Sequence, residues 1–236
     1  MMSRRARIGW VVDAQVDFMD PAGRLYVKDL QSDEDPGSIQ IVPTLERAVA
    51  WMRDNCDSLI FTGDWHGLDD DEIDAIAPDP AAGTYPPHCM GRSEDANERA
   101  GAEIIDAIRP VEPLVLAIAA DDDAAGSVAE RAVTEHRPVF IRKNRFDVFV
   151  GNAATEAFLH GLEAELGAVL DFVVVGVARD VCVTQAVDGM QARGYAVTAL
   201  SDATWGLGLE AEETTLARWS RQGRVTTLDD LLSDPR

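Results

Sequence analysis

Residues 171–185 read DFVVVGVARDVCVTQ. Val173 to Val177 are apolar or glycine without alternation, the mark of a strand buried on both faces of a parallel sheet. After Gly176 that pattern stops, and a helical rhythm resumes near Val181 and runs through Gln185, Ala186, Gly189 and Met190. Cys182 therefore stands where a central strand, Val173 to Val175, hands over to a helix. The first turn of a helix offers unpaired N–H groups and a partial positive charge, and both favour a thiolate. An ordinary thiol, with a pKa of about 8.5, is only a few per cent ionised at neutral pH, so a nucleophilic Cys182 needs that help. The competing reading is an inert buried cysteine, the commoner fate of this residue type.

Outward from this stretch, short apolar runs alternate with helical periods in both directions. Ile8 to Val12 ends at Asp13, Leu59 to Thr62 precedes Gly63-Asp64-Trp65-His66, and Pro138 to Ile141 leads to Lys143. Further strands are expected over Pro113 to Ala119, Tyr195 to Leu200 and Val225 to Thr227. Helices are expected from Ile39 to Asn55, Asp95 to Ile108, Asp123 to Glu135, Phe149 to Leu166 with an interruption at Gly161, and Glu210 to Arg221. The alternation predicts an α/β fold, a three-layer, doubly wound, mainly parallel sheet of Rossmann-like type, in a single domain spanning the chain. Such sheets place ligands at the carboxyl ends of their strands, which brings Asp13, Asp64, Lys143 and Cys182 to one edge. Neither GxGxxG nor GxxxxGK[ST] occurs, so no nucleotide cradle is predicted.

A chain of 236 residues that is 46% hydrophobic can bury one sizeable core and is not disordered. No apolar run reaches about 18 residues, so no membrane span is expected. The start, MMSRRARIGW, enters a strand directly and has no apolar signal core. Three widely spaced cysteines argue for free thiols in a cytoplasmic protein. The net charge of -21 repels phosphate backbones and anionic lipid, excluding nucleic acid and membrane surface as partners. Lys28 and Lys143 are the two lysines beside 19 arginines, so general lysine usage does not account for Lys143.

Asp13, Lys143 and Cys182 read as a nucleophile with a proton carrier and a positive neighbour; otherwise Asp13 caps a turn and Lys143 is a surface charge. Asp64, His66 and His88 make a carboxylate and two-imidazole set for a divalent cation. Against this stands a turn aspartate with two partly buried histidines. The acidic stretch from Leu68 to Pro80 reads as an exposed loop, and within it Glu72 is a candidate for a further oxygen ligand. His136 and His160 fall on expected helices and read as structural, as do Cys56 and Cys89. Phe18, Trp65, Tyr85 and Phe146 adjoin these residues and suit the walls of a pocket for a flat ring.

With these pieces in place, the chain resembles the nicotinamidase/pyrazinamidase family of the isochorismatase-like cysteine hydrolases. The resemblance rests on DAQVDF at 13–18, GDWH at 63–66, YPPHC at 85–89, RAGAEI at 99–104, the Lys143 segment and GVARDVCV at 176–183. It implies a six-stranded parallel sheet and a triad of Cys182, Asp13 and Lys143. A divalent ion (Zn, Fe or Mn) on Asp64, His66 and His88 is implied too, as is a cis peptide at Val177-Ala178 placing Val177 at the pocket. An oxyanion hole is implied at the N–H groups of Ala178 and Cys182. Residues 110–137 depart from the pattern as an expected insertion, and MGRSEDANER intervenes after YPPHC. The implied activity is hydrolysis of nicotinamide to nicotinate and ammonia through a thioester, in a homo-oligomer acting on a small-molecule amide. The alternatives are a sister hydrolase of another small amide or carbamoyl compound, and a catalytically idle binding member.

Overall fold

The computed structural model of the chain describes residues 4–234. In chain order its strands and α-helices are β1 (Arg5–Val12), α1 (Val16–Met19), α2 (Val42–Asn55), β2 (Ser58–Asp64), α3 (Ala96–Ala100), β3 (Leu114–Leu116), α4 (Asp122–Thr134), β4 (Val139–Lys143), α5 (Val148–Gly151), α6 (Thr155–Leu166), β5 (Val169–Val177), α7 (Thr184–Ala192), β6 (Ala196–Trp205), α8 (Glu212–Trp219), β7 (Arg224–Thr226) and α9 (Leu228–Ser233). Among the described residues seven strands form one sheet in the order β3-β4-β2-β1-β5-β6-β7, each neighbouring pair parallel. The sheet therefore has seven strands rather than six, the short β7 adding to the edge beside Thr198, Ala199 and Leu200 of β6.

The apolar run of β5 is continuous because both of its faces are covered. Phe172 and Val174 point into one core with Trp10, Phe158 and Met190, while Val173 and Val175 point into the other with Leu45, Met52 and Phe61. From β1 the chain lays down β2 beside it, crosses to β3 at the edge and returns to β4 between β3 and β2, then restarts at β5 on the other side of β1 and continues through β6 to β7. The direction of winding thus reverses at β1, and a crevice opens at the strand ends beside it.

Within residues 110–137, β3 pairs with β4 and α4 packs on α6. Gly161 does not interrupt its helix. A Cβ there would stand 2.9 Å from Cβ of Ala129, so the glycine lets α4 and α6 approach closely. The break falls instead at Asn152, whose Nδ2 donates to the carbonyls of Ala117 and Arg142. The helix expected over 95–108 shrinks to α3, because the backbone that follows is used elsewhere. The N–H groups of Val16 and Asp17 donate to the carbonyls of Glu103 and Gly101, and Gln15 bridges to Ile104.

Candidate active site

Four strands deliver the site. Lys143 ends β4 directly opposite Asp64, which ends β2. Asp13 follows β1, and Val12 is paired with Gly176 of β5. Gly176 has φ of 122°, and a Cβ on it would lie 2.0 Å from the carbonyl oxygen of Val12, so only glycine fits beside the Asp13 turn. Beyond β5 the Val177-Ala178 peptide is cis, and Arg179–Val183 form a π turn that runs into α7. Cys182 sits within that turn, where the Val181 and Val183 N–H groups both donate to the Ala178 carbonyl.

The structure brings Asp13, Lys143 and Cys182 together. Lys143 Nζ is 2.9 Å from Asp13 Oδ2 and 3.9 Å from Cys182 Sγ, and it also donates to Asp64 Oδ1. All four side chains are buried. The second Asp13 oxygen accepts the Thr62 hydroxyl at 2.7 Å. Burial works against the charge on Lys143, but Asp13, Asp64 and Cys182 outweigh it and keep the ammonium protonated well above its ordinary range. Burial, assisted by the Asp64 charge, raises the Asp13 carboxyl despite the pull of Lys143. Burial also pushes the Cys182 thiol well up, with Lys143 opposing it. The resting site is thus a thiol beside a carboxyl of raised proton affinity and a fixed cation, which suits transfer of the thiol proton to Asp13.

Asp64, His66 and His88 also converge, with one donor atom of each within 4.8 Å of the others. His66 Nε2 and His88 Nε2 both lie 3.7 Å from Asp64 Oδ2. His66 Nε2 and Asp64 Oδ2 are buried and make no hydrogen bond. The far nitrogens are occupied: His66 Nδ1 is 3.2 Å from Asp70 Oδ2, and His88 Nδ1 is 2.8 Å from the Pro86 carbonyl. Orphaned donor atoms facing one point, with their rings oriented from behind, fit a divalent cation. Burial would raise Asp64, but Lys143 and the two histidines hold it well below the usual carboxylate range. Glu72 is not within this donor set; its Oε1 accepts the Phe146 N–H, and burial together with the Asp64 charge pushes it up to about 7.

A cavity open to solvent on one side, with about 330 Å³ of empty space including that opening, adjoins both groups and is lined by Phe18, Leu25, Val27, Asp64, Tyr85, His88, Phe146, Ala178, Val181, Cys182 and Leu207. Phe18, Tyr85 and Phe146 occupy the walls expected of them. Trp65 does not reach it: one residue past Asp64, it turns to the other side and packs under the Arg142 guanidinium, 3.7 Å from the ring centre. Val177 likewise faces the core, and Ala178 takes the lining position. Cys89 is buried with its thiol against the Gly101 carbonyl, and Cys56 caps α2. His160 lies on α6, while His136 lies just past α4 with φ of 51°.

Several supporting residues had no role in the sequence reading. Gln15 clamps β2, accepting from the Asp64 N–H and donating to the Asp64 and Ala102 carbonyls. Asp70 turns inward from a loop whose acidity reads as exposure, its Oδ2 meeting His66 Nδ1. Asp17 Oδ2 accepts the Cys89 N–H beside His88. Leu25, Val27 and Leu207 come from irregular segments, whose spacing carries no periodic signal.

A doubly wound parallel sheet with a buried cysteine, lysine and aspartate at its carboxyl edge defines a hydrolase-type α/β protein. The isochorismatase domain profile matches residues 10–230, and the chain belongs to that family of hydrolases. Solved structures share the fold. The pyrazinamidase of Pyrococcus horikoshii in complex with zinc is 21% identical, with 94% of this chain and 99% of that one covered and a TM-score of 0.63. PnC1 of L. infantum in complex with nicotinate is 21% identical over 95% and 93% of the two chains, with a TM-score of 0.65. The N-carbamoylsarcosine amidase of Thermoplasma acidophilum is 19% identical over 94% and 96%, with a TM-score of 0.62. A sequence comparison with curated proteins finds no match. Among the described residues no helix is long and apolar enough to cross a membrane.

Proposed function

We propose that the protein is a metal-dependent nicotinamidase, hydrolysing nicotinamide to nicotinate and ammonia. The observation that carries this reading is the cavity itself: apolar and aromatic walls line a space that touches both Cys182 and the Asp64 and His88 donors. Tyr85 stays neutral there, since burial and then the Cys182 charge push its phenol up to about 12. Among the described residues no arginine or lysine lines the cavity, which suits an uncharged ring amide. A divalent cation such as zinc, iron or manganese on Asp64, His66 and His88 would supply a Lewis-acid anchor for a ring nitrogen.

The chain's own residues perform the bond changes. Asp13 takes the thiol proton, and Cys182 Sγ attacks the carboxamide carbon. The N–H groups of Ala178 and Cys182 hold the developing oxyanion. Asp13 returns the proton to the leaving nitrogen, ammonia departs, and a thioester remains on Cys182. Asp13 then takes a proton from water, whose oxygen cleaves the thioester to the carboxylic acid, and Asp13 passes that proton to the departing Cys182 thiolate. Lys143 stays positive throughout and balances the charge passing between Asp13 and Cys182.

The test is ammonia release from nicotinamide, with chelator and with metal added back. Turnover that disappears on chelation and returns with metal supports the reading. A folded, metal-loaded protein that releases no ammonia sinks it and moves the search to a sister carbamoyl amidase. The same reading carries a role in NAD salvage, a cytoplasmic location and a homo-oligomeric assembly as expectations. A monomer in sedimentation would remove the last of these.

A further inference from the structure

The cavity wall opposite the strand ends is made by a loop that regular structure does not hold. Residues 206–211 leave the end of β6, and Leu207, 4% exposed, projects into the cavity beside Cys182, Ala178 and Val181. One side chain from the nucleophile's own turn holds the near side of this loop. Asp180, two residues before Cys182, accepts the Leu207 N–H on Oδ1 at 2.9 Å and the Leu209 N–H on Oδ2 at 2.7 Å, with the Glu210 N–H 3.4 Å from the same Oδ2. Gly206 allows this approach, since a Cβ there would lie 3.0 Å from Asp180 Oδ1.

The far side of the loop is tied to the segment that carries Leu25 and Val27, two more walls of the cavity. The Leu30 N–H donates to the Leu207 carbonyl at 2.9 Å, Gln31 Nε2 donates to the Gly208 carbonyl at 3.1 Å, and Trp205 Nε1 donates to Asp35 Oδ2 at 3.1 Å. Val27 is itself held by a bond from its N–H to the Phe18 carbonyl at 3.0 Å. One carboxylate thus links the nucleophile turn to the apolar half of the cavity. A carboxylate accepting several backbone N–H groups is a strong, directional anchor, because charge-assisted bonds are roughly twice as strong as neutral ones.

Resting on the ring-amide pocket proposed above, we propose that Leu207 is a specificity-determining wall and Asp180 its positioning residue, together setting how large a ring can lie against Cys182. Asp180 touches neither substrate nor reacting atoms. It acts by registering Leu207 to the turn from which the thiol attacks, while the Leu30 N–H holds the Leu207 carbonyl from the other side.

The test compares two alkylating agents of different bulk, iodoacetamide and iodoacetanilide, on the whole chain, with modification of Cys182 read from its own peptide by mass spectrometry. The readout is the ratio of the bulky rate to the small one in variants whose urea melts match the parent's, because unfolding would itself free Cys182 and raise that ratio. A methylene more or less in an apolar pocket changes discrimination by about 10-fold to 200-fold, so Leu207→Ala is expected to raise the ratio by about tenfold. Asp180→Ala is expected to raise it as well. Asp180→Asn keeps one acceptor oxygen and is expected to fall between Asp180→Ala and the parent protein; should Asp180→Ala fail to fold, it alone decides the positioning role. Ratios equal to that of the parent in folded Leu207→Ala would overturn the wall. A raised ratio in Leu207→Ala with none in folded Asp180 variants would overturn the positioning role. Because alkylation needs no amide turnover, a protein that releases no ammonia from nicotinamide yet shows the shifted ratios loses the nicotinamidase reading and keeps this one.

Discussion

Lys143 Nζ stands 2.9 Å from Asp13 Oδ2 while also donating to Asp64, so one buried ammonium separates two buried carboxylates. Removing one partner of a buried charge pair leaves uncompensated charge and costs about 3–5 kcal/mol. Lys143→Met is therefore expected to lower unfolding stability by about that amount in metal-free protein, read from urea melts. Added zinc should restore part of the loss, since a cation on Asp64 replaces some of the missing positive charge. Equal melts for parent and variant would show that Asp13 and Asp64 do not depend on Lys143.

Asp13→Asn keeps the shape of the side chain and its capacity to accept the Thr62 hydroxyl, but it cannot take the thiol proton. General acid–base groups contribute about 10²–10⁴-fold, so kcat should fall by that range with the fold intact. Cys182→Ala should abolish turnover, as no other thiol lines the cavity among the described residues. Full activity in either variant would remove the proton transfer between Asp13 and Cys182 from the mechanism.

Asp70 holds His66 from behind, its Oδ2 3.2 Å from Nδ1 and 3.0 Å from the Gly67 N–H. Partners of this kind orient a ligating imidazole, and their loss costs about 10–100-fold in metal affinity. Asp70→Asn should weaken zinc binding by that factor in competition with a chromophoric chelator, while Glu72→Gln should leave it nearer the parent value. An Asp70 variant that binds zinc as tightly as the parent would exclude this orienting role.

The parts legible in sequence are those written in short periods. Phe172 to Val175 declare a strand covered on both faces, and Asp13, Asp64, Lys143 and Cys182 declare themselves by standing where such strands stop. Alternation also accounts for what went wrong at Trp65, which is adjacent to Asp64 in the chain and therefore opposite to it in direction. The seventh strand, β7, falls at the short strand expected over Val225 to Thr227, although the family pattern counts six. Long-range choices left no local trace. Nothing near residue 101 says that its carbonyl will accept from Asp17, so the helix expected through Ile108 stops early. Asp70 and Asp180 look like any acidic loop residue until folding shows which N–H groups they meet.

Tyr195 gives a test of burial that is independent of the active site. Its ring packs edge-on against Phe172 at 5.2 Å, and burial, then the charges of Glu163 and Glu156, push its phenol up to about 12. Between pH 10 and 12 the unfolded chain therefore loses the Tyr195 proton while the folded chain keeps it. Fewer protons bound in the unfolded state make stability fall as pH rises, so this contribution is complete below pH 10 and lost by about pH 12. Tyr195→Phe removes the titration and should show a shallower loss over this window, with urea midpoints of parent and variant diverging from their pH 9 relation as pH increases. Tyr85 is also raised to about 12, so a residual slope should persist in the variant. Parallel curves from pH 9 to 12 would mean that the phenol titrates alike in both states and that its setting is more open than its packing on Phe172 implies.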